Sequence, residues 1–149
     1  MFLRTTVAFL IGMVWAMAPL AGADPVRAGH PPAAWPASRL VLFGARWCAP
    51  CIAELRDLGP LAIAAHPKGL VLGWIDRPIR TLAAAKGIEA MPPDVALDLA
   101  EVIAGRGFGL PLAVMTDDVG RPCAVRHARV LPGDVAAMRA ECAKGVAKP

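Results

Sequence analysis

Cys48 and Cys51 are separated by two residues, Ala49 and Pro50, where an apolar run gives way to an amphipathic one. Thiols at that spacing can close a small disulfide ring and open it again, which makes the pair a device for exchanging electrons. If the pair opens a helix, the first thiol meets unpaired backbone N–H groups and the positive end of the helix dipole, which lower its pKa. Cys48 is then expected to be the exposed nucleophile, and Cys51, one turn later and facing inward, the resolving thiol. Glu54 follows Cys51 by another turn. A carboxylate there would raise thiol pKa values by like-charge repulsion and could take the proton from Cys51; the alternative is a solvated helix glutamate paired with Arg56 or its neighbours. Trp47 precedes the pair and either lines the site or simply packs.

The elements that must hold these residues can be read along the chain. Residues 40–43 form a short continuous apolar run, as in a strand buried on both faces. The helix from Ala49 places Ile52, Leu55 and Leu58 on one side at helical spacing, with Pro50 in its first turn. Gly59-Pro60 breaks or kinks it, and a second segment covers 61–65. Residues 70–75 read as the next strand, parallel to the first because the connection runs through a helix. Helices are expected over 79–86 and 95–104, with Ala90 to Asp94 broken by two prolines. Strands follow at 112–116 and 123–130 around a turn at 117–121. The last helix spans 135–144 with Asp134 as its cap.

Trp47-Cys48-Ala49-Pro50-Cys51 between a strand and a helix, with Glu54 three residues beyond the second cysteine, resembles the thioredoxin superfamily, and in particular its exported TlpA- and ResA-like branch. The resemblance implies an α/β fold, a thioredoxin-like three-layer α/β/α sandwich around a mixed four- to five-stranded sheet. It implies that Leu110-Pro111 is the place of the cis-proline that faces the cysteine ring, with Leu110 and Pro111 docking a substrate strand. In ResA-like relatives the glutamate matching Glu54 tunes cysteine acidity. This chain departs from the pattern in two places. Leu42 stands where thioredoxin has a buried aspartate, and Gly44 replaces a common tryptophan, which leaves Trp47 as the expected cover over the ring. Cys123 and Cys142 fall on the last strand and last helix, elements that pack together in this fold, so a structural disulfide is expected; a second redox pair is the sharper alternative.

Residues 1–23 carry Arg4, an apolar run over 7–20 and the small-residue site Ala21-Gly22-Ala23, which reads as a secretory signal peptide. The rival is an uncleaved membrane anchor, since the run approaches the length of a short span. Either address is periplasmic or otherwise outside the cytoplasm, where disulfides persist. Residues 24–38, with four prolines, read as a linker or arm, and the thioredoxin-like domain as 39–149. Net charge is +4 without a basic run, which gives nucleic-acid binding little support.

The cysteine after which a haem would attach is followed by Ile52 and not by histidine, and Cys123 and Cys142 are not a second close pair, so neither haem nor zinc is expected. His30, His66 and His127 stand at no ligand spacing from the CxxC pair. The chemistry asks for no cofactor and no metal. The leading expectation is a protein dithiol-disulfide oxidoreductase acting on cysteine-containing exported proteins; the family resemblance implies a reductant that serves cytochrome c or copper-site maturation and is recharged by a membrane thiol donor of the CcdA or DsbD kind. The alternative is a Cu(I)-binding metallochaperone without redox turnover, since a thiolate pair suits that soft ion.

Overall fold

A computed structural model describes residues 34–146; the expected signal peptide and most of the proline-rich segment lie outside the described residues. Five strands form one sheet in the order β3-β2-β1-β4-β5. β1 (Leu40–Gly44) lies at its centre, parallel to β2 (Leu70–Trp74) and antiparallel to β4 (Leu112–Thr116). β3 (Glu89–Ala90) adds a parallel edge and β5 (Pro122–Arg126) an antiparallel one. All of β1, β2 and β4 is buried, which is why these strands read as unbroken apolar runs and not as alternating ones.

Helices cover both faces. On one side α1 (Ala49–Glu54), a 3-10 turn at Leu55–Asp57, α2 (Leu58–Ala65), α3 (Arg80–Ala84) and α5 (Pro132–Val146) close over Leu40, Leu42, Leu72 and Trp74. On the other, α4 (Pro93–Ala104) packs Ala96, Leu99 and Ala100 against Val41, Phe43, Val71 and Val114. The result is the expected three-layer sandwich, with five strands.

Several local expectations shift. The break in the first helix falls at Leu55–Asp57 and not at Gly59-Pro60, because Pro60 sits in the first turn of α2, where its missing N–H costs little. Ile52 is exposed and Glu54 faces inward in its place, while Cys51 and Leu58 are buried as expected. The strand after the turn ends at Arg126, and Val130 lies buried in the loop beyond it. The last helix starts at Pro132, so Asp134 is inside its first turn; its Oδ2 accepts the Leu131 N–H at 2.8 Å, doing from within the helix the work expected of a cap.

The domain also begins earlier than Arg39. Trp35 meets Phe43 edge to face at 5.9 Å, the Thr116 hydroxyl donates to Pro36 O at 2.6 Å, and the Ser38 N–H donates to Asp117 O at 2.7 Å. Gly120, at φ +80°, lies so close to Trp35 O that a side-chain carbon there would sit 2.7 Å from it. The end of the proline-rich stretch is therefore bound to the β4–β5 turn.

Candidate active site

β1 ends at Gly44, and the chain turns through Ala45, Arg46 and Trp47 before α1. The Cys48 N–H donates to Ala45 O at 3.1 Å, and Arg46 binds the Asp76 carboxylate through its backbone N–H and, at 3.3 Å, its Nε. These contacts fix Cys48 as the cap residue of α1, with extended backbone (φ −89°, ψ 98°) and its Sγ accepting the Cys51 N–H at 3.2 Å. Pro50 sits in the first turn and presents no donor that would need a partner. Cys48 and Cys51 are joined as a disulfide with Cα atoms 5.3 Å apart.

Cys51 is 1% exposed, as expected of the inner thiol, but Cys48 is only 4% exposed. The expected exposed nucleophile is thus buried in the disulfide state, because its sulfur is turned onto the helix end and bonded to Cys51. Trp47, Ala49 and Pro50 are the exposed members of the motif, Trp47 at 66%. Trp47 stands outward beside the ring and does not pack into the core.

The space left by the missing tryptophan at position 44 is filled from the neighbouring strand. Trp74 pairs with Gly44 in the register, and its ring lies where a Gly44 side chain would be. Trp74 is buried in the same apolar cluster as Cys48 and Cys51, with its Nε1 lacking a hydrogen-bond partner. The sequence reading missed Trp74, although a glycine in a buried strand marks a close approach by something else.

Leu110 and Pro111 come to the same end of the sheet. β4 runs antiparallel to β1 with Leu112 opposite Phe43, so the residues just before β4 lie where β1 releases the chain toward Cys48. The Leu110–Pro111 peptide bond is cis, and Pro111 is buried. Leu110 is partly buried and packs against the clusters on both faces. A second cis bond, His66–Pro67, occurs in the turn before β2.

Glu54 is 4% exposed, which removes the solvated reading and the pairing with Arg56. Its Oε1 accepts the Val130 backbone N–H at 2.8 Å. Burial pushes its pKa up to about 7; the Val130 hydrogen bond and the Arg129 charge pull the other way, and Asp57 adds to the rise. Arg129 is itself paired with Asp57. With Leu42 buried in the core where thioredoxin has its acid, Glu54 is the one buried carboxylate of α1, one turn from Cys51. Val130 was not singled out by the sequence, since a valine donating its backbone carries no side-chain signal.

Cys123 and Cys142 are joined as a second disulfide between β5 and α5, with Cα atoms 4.9 Å apart, and the Cys123 sulfur lies 3.2 Å from Met115 O. His66 and His127 are in the turn before β2 and just past β5; His30 is outside the described residues. Among the described residues no helix is long and apolar enough to cross a membrane.

No family model matches the chain, and no curated protein matches it. Solved structures do. A DsbF homologue from Corynebacterium diphtheriae is 21% identical with a TM-score of 0.51, over 72% of this chain and 73% of that one. A secreted thiol-disulfide isomerase from Corynebacterium glutamicum is 22% identical with a TM-score of 0.51, over 70% and 69%. StoA from Bacillus subtilis is 14% identical with a TM-score of 0.51, over 70% and 84%. At such identities the likeness is one of backbone, and it agrees with the strand order and the helix layers above: the chain has the thioredoxin-like fold.

Proposed function

We propose that the protein is an exported thiol-disulfide oxidoreductase that reduces disulfides of other exported proteins. The observation that carries this reading is the placement of the Cys48–Cys51 disulfide at the start of α1, at the sheet end that also carries Leu110 and Pro111.

In the reduced enzyme the Cys48 thiolate attacks one sulfur of the partner's disulfide; a mixed disulfide forms and the partner's other sulfur leaves as a thiolate. Glu54 takes the proton of Cys51, whose thiolate then attacks the Cys48 sulfur. The partner departs with both cysteines reduced, and the enzyme is left with its own disulfide, two electrons having passed outward. A dithiol donor in the membrane, of the CcdA or DsbD kind, returns them. Trp47, Leu110 and Pro111 form the docking surface, and the partners are cysteine-bearing proteins such as apocytochrome c or copper-site proteins. The neighbours include a secreted thiol-disulfide isomerase, which supports the exported address.

Insulin reduction coupled to a chemical dithiol tests the activity, with turnover expected for the native chain and lost in Cys48→Ser. A Cys51→Ala variant is expected to hold its partner as a mixed disulfide. Absence of turnover together with stoichiometric Cu(I) binding would overturn the reading in favour of copper delivery.

A further inference from the structure

A cavity of about 190 Å³ opens at the end of the sheet remote from Cys48. Leu40, the first residue of β1, pairs with Met115 there, whereas the cysteine pair follows the last residue of β1. Leu40, Met115 and Cys142 give it an apolar wall, with Cys142 held in place by its disulfide to Cys123. Arg39, Lys68 and Arg139 also line it, and no carboxylate does.

Two of these cations are oriented by the loop between α2 and β2. Arg139 donates to His66 O at 2.8 Å and Arg39 donates to Lys68 O. Carbonyl oxygens fix a guanidinium in place without cancelling its charge. Arg39 reaches the Glu89 carboxylate only at 3.9 Å. Arginine held this way has donors left for the paired oxygens of a carboxylate.

We propose that this cavity binds a small carboxylate carrying a short apolar body, with the carboxylate on Arg39, Lys68 and Arg139 and the body against Leu40, Met115 and Cys142. An apolar molecule alone would leave the cations unmatched, and a bare anion would leave the apolar wall wet, so the two halves of the lining select one amphiphilic class. The volume falls below the roughly 300–1,000 Å³ of sites for drug-sized ligands, which sets the occupant as small. The site stands apart from the cysteine pair, so it holds or fails independently of the proposed reductase activity.

Hexanoate is the probe, added to the full chain and followed by backbone amide shifts in NMR. Saturable shifts are expected at Leu40, Met115 and Cys142, with hexanamide and acetate each binding about tenfold more weakly because each lacks one half of the match. The double variant Lys68→Gln/Arg139→Gln, checked for native circular dichroism, should weaken hexanoate by at least about tenfold, while Arg139→Lys, which keeps the charge, should lose less. Hexanamide binding as well as hexanoate, shifts confined to residues outside the cavity, or affinity unchanged in the double variant would each overturn the proposal.

Discussion

Val130 donates its backbone N–H to Glu54 Oε1 at 2.8 Å, so a carboxyl on the first helix is tied to the loop that leads into the last. The bond satisfies a buried donor, but burial still disfavours the ionised carboxylate and holds its pKa at about 7. The folded protein therefore binds a proton more readily than the unfolded chain between the ordinary carboxyl value of 4.5 and about 7, and stability falls as pH rises through that window. The loss amounts to about 3 kcal/mol once pH exceeds both values. Glu54→Gln should flatten the stability profile over that range and be the more stable protein at about pH 8, as read by urea denaturation at several pH values. Reductase activity in the native chain should rise through about pH 7 as Glu54 becomes a base, and the Gln variant should lose that inflection.

Once the disulfide is reduced, the two thiols should differ sharply. Both sulfurs are buried while the disulfide is closed, but Cys48 caps α1 and its sulfur accepts the Cys51 N–H, a contact that favours its thiolate. Iodoacetamide should modify Cys48 at least about tenfold faster than Cys51, with a titration midpoint below the ordinary thiol value of about 8.5. Mass spectrometry of the peptides separates the two rates. Equal rates would remove the basis for assigning attack to Cys48.

The Cys123–Cys142 bridge closes a loop with a sequence separation of 19. Replacing both cysteines by alanine should cost about 3 kcal/mol in the chain-entropy picture of a disulfide, measured by denaturation under oxidising conditions. Insulin reduction should survive in this variant. Its loss at a temperature where the variant is still folded would show that the bridge does more than brace the domain.

Gly44→Ala sets a methyl group into the Trp74 ring. Overpacking of that kind costs about 1–3 kcal/mol. Because the clash is specific, pairing Gly44→Ala with Trp74→Phe should destabilise less than the sum of the two single changes, a coupling that a double-mutant cycle reads directly.

The sequence made most of this frame legible because its signals were physically strong. Residues 40–43 and 112–115 are wholly apolar and could be little else than buried strands, and both strands appear with at most one residue added to the expected bounds. The Leu110–Pro111 bond is cis and Cys123 is joined to Cys142, both at elements the sequence could name. The phase of α1 was not legible. Over six residues, apolar spacing favoured Ile52, which is exposed, whereas the helix buries Glu54 beside the inward-facing Cys51. A glutamate faces inward only because the Val130 N–H waits for it, and that donor is distant in the chain and invisible in side-chain chemistry. β3 was missed because two residues carry no periodicity. Trp74 was read as one more apolar strand residue, since its meaning depends on which strand lies beside it.

The two glycines of the central pair do more than make room. Phe43 sits opposite Gly73, whose missing side chain would fall 2.7 Å from the phenyl ring, and one step along, Trp74 sits opposite Gly44 on the other face. Sliding β2 by two residues, the smallest shift that keeps each side chain on its own face, would set Trp74 over Leu42 and Phe43 against Ile75 in one direction, and Phe43 against Val71 in the other. Each ring fits only its own notch, so the parallel pair has one alignment in which both faces close, and that alignment fixes how far along the sheet Cys48 is carried.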